Sequence, residues 1–139
     1  MIQTSSQEET INFIVNDLFR SIVYEKGVSF YSGPFGRLLF LAHYLQYHPE
    51  ENDDRFDRYA EQCFDAICSK PAIHTYCNGM AGVLECLRHL TRSGRLEVDY
   101  SEIEEQYKPH LLQCLQRDFA RDGDYDLRHG AMGVAYHFR

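Results

Sequence analysis

The chain carries one short signature three times: Gly33-Pro34-Phe35-Gly36, Gly79-Met80-Ala81-Gly82 and Gly130-Ala131-Met132-Gly133, each opening an apolar segment. The copies start 46 and then 51 residues apart. A period of this length in so short a chain means that one supersecondary unit recurs and stacks on itself to bury its apolar face. Within each copy the first glycine is expected to take a left-handed or otherwise strained conformation, and the second to let a neighbouring backbone come close. Three helices that begin alike put their amino ends side by side, with free N–H groups and partial positive charge. That rim is where ligands are to be sought.

The segments between the signatures read as helices. Ser6 and Glu9 form a capping box ahead of Ile11, Ile14, Val15, Leu18, Phe19, Ile22 and Val23, a single apolar stripe at helical spacing that Lys26-Gly27 ends. From Phe35 to Tyr47 almost no polar face remains, which marks an inner helix. The alternation then recurs. Phe56, Tyr59, Ala60, Cys63, Phe64 and Ile67 stripe a charged outer helix stopped at Lys70-Pro71, and Met80, Val83, Leu84, Leu87 and Leu90 mark the second inner helix. Ser101 and Glu104 form a second capping box before Ile103, Tyr107, Leu111, Cys114 and Leu115, which continue a third outer helix, with a kink or break expected at Pro109. The last inner helix starts at the third signature and runs to Arg139. No segment alternates with the period of a strand. The expected fold is all-α and single-domain, built from three outer-inner hairpins over residues 7–48, 53–93 and 101–139.

A net charge of −7 without any run of Lys or Arg argues against nucleic acid or an anionic membrane surface as a partner. The amino-terminal ten residues are polar and acidic, unlike a signal or transit peptide, and no apolar run approaches a membrane span. Five cysteines, an odd number with no CxxC pair, fit a reduced, cytoplasmic protein in which most are small buried apolar residues.

The glycine signatures at this interval, with Tyr76-Cys77-Asn78-Gly79-Met80-Ala81-Gly82 and Tyr125-Asp126-Leu127-Arg128-His129-Gly130-Ala131-Met132-Gly133 as variants, resemble those of the lanthionine synthetase C-like proteins. The resemblance runs from Gly27 to the end and covers the first three of seven hairpins, so it implies a partial α/α toroid, the amino-terminal part of a larger one. It implies an enzyme that adds Cys thiols to dehydrated Ser or Thr in a ribosomal precursor peptide, forming thioether rings. The family's zinc, held by two Cys and one His, belongs to late repeats, so zinc is expected in a full-length parent and no metal in this chain. Cys77 and His129 occupy ligand-like positions in other repeats, and His74 is a conceivable third donor beside them. Asp126, four residues before Gly130, stands where the family carries a proton-handling Asp; a helix cap or a turn is the alternative. Tyr31, Ser32, Tyr76, Asn78, Arg128 and His129 are the remaining rim residues, as substrate contacts or as partners for backbone groups at the helix starts. A non-catalytic toroid segment that binds a peptide or protein is the second functional reading. A sugar-acting α/α barrel ranks last, for want of paired carboxylates and of any Trp. An open arc leaves apolar faces bare, from which self-association is expected.

Overall fold

In the computed structural model the described residues are 2–21, 28–31, 33–69, 73–121 and 125–139. They form α1 (Ile2–Ser21), α2 (Pro34–Tyr47), a short 3-10 turn (Pro49–Glu51), α3 (Asp54–Ser69), α4 (Met80–Arg92), α5 (Tyr100–Ala120) and α6 (Ala131–His137), with no strand among them. The chain is all-α. Ile22, Val23, the Lys26-Gly27 stop, Ser32, Lys70-Pro71 and the Asp122–Asp124 turn lie outside the described residues.

α4 is the hub. Met80, Ala81, Val83, Leu84, Cys86, Leu87 and Leu90 are buried almost completely, and the helix packs on α2, α5 and α6. A helix with neighbours on three sides needs apolar residues on three sides, which is what its sequence supplies. α2 buries Phe35, Leu38, Leu41, Ala42 and Leu45 against the same core. α3 lies on α2, the inner helix that precedes it, and α5 lies across both α4 and α6. Hydroxyls add ties between layers: Tyr59 donates to the Pro34 carbonyl at 2.9 Å and Tyr107 to the Ile67 carbonyl at 3.1 Å. Cys63, Cys77, Cys86 and Cys114 are buried and Cys68 is exposed. Burial pushes the Cys86 thiol up to about 12, so it is an inert core residue.

Several local expectations are corrected. α1 begins at Ile2, so Ser6 and Glu9 sit inside the helix and not at its cap. Thr10 Oγ1 instead donates to the Ser6 carbonyl at 2.8 Å. Among the described residues of the α1 stripe only Val15 is fully buried, while Ile11 and Ile14 remain 40% and 43% exposed. Few neighbours cover this face among the described residues. α1 is held by Tyr44, whose hydroxyl lies 2.9 Å from Asn12 Oδ1, and by Phe19, which carries the Arg55 guanidinium 4.4 Å over its ring. α5 is capped by Asp99, which accepts from the Glu102 N–H at 3.1 Å, and not by Ser101. Glu104 is thereby released from a capping role to enter a charged cluster described below. Pro109 lies within α5 without breaking it, and α6 ends at His137, two residues short of Arg139.

Candidate functional site

The three glycine loops face one another at the amino ends of α2, α4 and α6. Tyr31, Cys77 and Arg128 each stand two residues before the first glycine of their repeat. Tyr31 N–H donates to the Cys77 carbonyl at 2.9 Å, and Cys77 N–H donates to the Arg128 carbonyl at 2.7 Å. Equivalent positions of successive repeats are thus joined by main-chain bonds, which fixes the register of the rim whatever side chains it carries.

Glycine is required here for space. Gly33, Gly79 and Gly130 have φ of −130°, −139° and −114°, an extended conformation open to other residues, so the expected left-handed or strained start is not what the structure shows. A Cβ on Gly36, Gly82 or Gly133 would collide with the carbonyl oxygen of Phe30, Tyr76 or Leu127, the residue three before the first glycine in each repeat. It would also press on the preceding repeat: Phe30 Cβ is 2.9 Å from such a group on Gly82, and Tyr76 Cβ is 2.6 Å from one on Gly133. The second glycine therefore sets how closely one loop lies on the next.

This scaffold decides where the predicted site residues stand. Tyr76 is half-buried, edge-on to both Phe30 (centroids 6.0 Å) and Tyr136 (5.8 Å), and so packs between repeats. Tyr31, Asn78, Asp126, Arg128 and His129 are exposed on the rim. Arg128, from the third loop, reaches the first loop, its guanidinium 4.6 Å over the Tyr31 ring and its Nη2 4.0 Å from the Cys77 sulfur of the second. One side chain spans all three repeats.

Asp126 folds the third loop around itself. Its Oδ1 accepts from the Arg128 N–H at 3.1 Å and its Oδ2 from the His129 N–H at 3.0 Å. His129 Nδ1 lies 2.9 Å from the same Oδ2. A carboxylate can only accept, so Nδ1 carries the proton and Nε2 is left as the basic nitrogen. The Arg128 backbone N–H and then the His129 side chain hold the Asp126 carboxyl below its usual range. A carboxylate that accepts from two backbone groups and one ring nitrogen orients its neighbours.

The zinc donors considered from sequence are dispersed to other tasks. His74 Nε2 pairs with Asp118 Oδ2 at 2.8 Å, His129 is held by Asp126, and Cys77 is buried beside a guanidinium that repels a cation. These three side chains do not fit a zinc site. Among the described residues the ligand atoms of His48, Glu50 and Glu51 lie within 4.8 Å of one another.

Toward the other end of the helices lies a cluster that the sequence did not signal, because its members are spread over three helices. Arg88 bonds Glu85 at 2.7 Å, Glu104 at 3.3 Å and the His137 carbonyl at 3.0 Å. His137 is fully buried, with Nδ1 3.0 Å from Glu85. Its Nε2 is 3.1 Å from Glu104 Oε1 without the alignment of a hydrogen bond. Burial holds the imidazole below the ordinary histidine range, against the opposing pull of Glu85. A cleft of about 880 Å³ opens beside Arg88, Thr91, Tyr100, Ser101 and Arg139.

The described residues are all-helical, with α2, α4 and α6 each starting on paired glycines and joined by main-chain bonds between the loops that precede them. A family model described as lanthionine synthetase C-like protein matches residues 24–138, and the chain belongs to that family. No curated protein and no solved structure gave a match. No described helix is long and apolar enough to cross a membrane.

Proposed function

We propose that this chain forms three hairpins of an α/α toroid of the lanthionine synthetase C-like kind, and that its rim binds a peptide carrying Cys and dehydrated Ser or Thr. The observation that carries the reading is Arg128 lying across all three loops, on Tyr31 and beside Cys77. A guanidinium with an aromatic face beneath it offers a peptide both a carbonyl-binding fork and an apolar shelf. Asp126 and His129 stand on the same loop; in this reading His129 Nε2 takes the thiol proton or returns one to the enolate carbon after addition, while Asp126 fixes the tautomer. Zinc in the parent protein would supply the activated thiolate, and the donors present here do not, so the 139-residue chain is expected to bind without cyclising.

The test is fluorescence anisotropy with a labelled peptide containing Cys and dehydroalanine. Arg128→Ala should weaken binding at least about tenfold, since it removes one charge-assisted contact of about 1.5–3 kcal/mol, while an exposed side chain costs the fold no more than about 1 kcal/mol. His129→Gln should leave binding within about twofold, because it removes a proton carrier and not an anchor. Thioether formation by the wild-type chain alone, or binding indifferent to Arg128, would overturn the reading.

A further inference from the structure

His43 on α2 and His89 on α4 each stand ten residues past the first glycine of their repeats, Gly33 and Gly79. Both side chains are exposed. Because the two helices pack side by side and start in register, equivalent positions meet: the Nε2 atoms are 3.0 Å apart. The ring centroids are 5.1 Å apart with 46° between the planes.

Two arrangements satisfy this distance. As a hydrogen bond, one Nε2 carries a proton and the other does not, so the rings hold opposite tautomers. As a ligand pair, both rings keep the proton on Nδ1 and turn two lone pairs on one ion. Metal–imidazole bonds of about 2.0–2.1 Å place adjacent ligand nitrogens about 2.9–3.4 Å apart, from a right angle to a tetrahedral one. The observed 3.0 Å falls in that interval. Two rigid helices hold the donors there in advance, which reduces the ordering cost of binding, and a net charge of −7 favours a cation.

We propose that His43 and His89 form a site for a transition-metal ion of the class imidazole prefers, Ni2+, Cu2+ or Zn2+, with water completing the coordination. It uses no thiolate and no position beside a glycine turn, and is therefore separate from the zinc that the family implies. The nearest rival is the group of His48, Glu50 and Glu51, in which Glu51 already lies 2.9 Å from the Tyr44 hydroxyl.

Calorimetric titration of the reduced chain with Ni2+ tests the proposal. One saturable site is expected, together with a rise in melting temperature through binding to the folded state alone. His43→Ala and His89→Ala should each weaken binding by more than about tenfold, the loss that even outer-shell changes produce, and should abolish the thermal shift. His43→Gln, which keeps a polar group on the helix face, should behave like His43→Ala, and His48→Ala should bind as wild type. With Co2+ no near-ultraviolet thiolate-to-metal band should appear. The absence of saturable binding would overturn the proposal, as would binding that survives the double His43→Ala, His89→Ala change, a loss confined to His48→Ala, or a thiolate band.

Discussion

At the amino ends of the inner helices the repeats are joined by main-chain bonds, Tyr31 to Cys77 to Arg128, whereas toward their carboxyl ends they are joined by side chains, with Arg88 and His137 between Glu85 and Glu104. The difference separates two tasks. A rim held by its backbone can carry any side chain that leaves the glycines alone, which is what the proposed peptide site at Tyr31, Arg128 and His129 requires. A base held by buried charge is committed to the fold, because each group there relies on another to offset its desolvation.

The sharpest way to break the comparison is at the rim's close contact. Gly82→Ala places a methyl against the Tyr76 carbonyl and Phe30 Cβ, both part of the laced loops. Neither is the far end of a flexible side chain, so the backbone must move, at a cost of about 4 kcal/mol, beyond ordinary overpacking. Chemical denaturation reads the loss; a variant within about 1 kcal/mol of wild type would mean that the loops are not set by glycine.

At the base, Arg88→Met keeps the aliphatic stem but strands Glu85 and Glu104 without their shared cation. About 3 kcal/mol is expected, the lower end of what breaking a buried pair costs, since Arg88 keeps 17% exposure. The rim should be untouched, so peptide binding per folded molecule should not change. A loss of binding without a loss of stability would reverse the assignment of the two ends.

The smallest expected effect separates the ends by pH. His137 is depressed when folded, so the unfolded chain takes up its proton first, near pH 6.5. Its contribution to stability is complete above that value and is lost as pH falls below it. Burial alone would raise the Glu104 carboxyl, but the Tyr100 hydroxyl, the neighbouring His137 and Arg88 together outweigh burial and hold it low. Glu104 therefore adds a second loss only below the usual carboxylate range. Melting temperatures between pH 7 and 5 should fall for wild type and fall less for His137→Gln; equal slopes would show that the buried imidazole does not govern the base.

The helices themselves were legible in the residues. Apolar positions at helical spacing in the segments after Gly33 and Gly79 can be buried only by a helix with neighbours on several sides, and α2 and α4 are such helices. Helix ends were less legible. Ser101 and Asp99 are both capping residues two positions apart, and which one serves depends on where α5 meets α4 and α6. Ile11 and Ile14 read as core because periodicity records an apolar face and not whether a neighbour exists to cover it.

Of the site, sequence supplied Asp126, Arg128 and His129 as neighbours on one loop, since contacts of two or three residues' span follow from a turn. It could not supply Arg128 on Tyr31, His43 on His89, or His137 between Glu85 and Glu104, pairs that are 33 to 97 residues apart along the chain. The glycines show the division most plainly. Their period, readable in the chain, determined that like would be stacked on like. That the second glycine is required by the carbonyl six residues before it, and at Gly82 and Gly133 also by an aromatic of the preceding repeat, and not by a backbone angle, was decided only in the folded loops. Local sequence sets φ, ψ and spacing, but steric exclusion between distant segments exists only in the folded molecule.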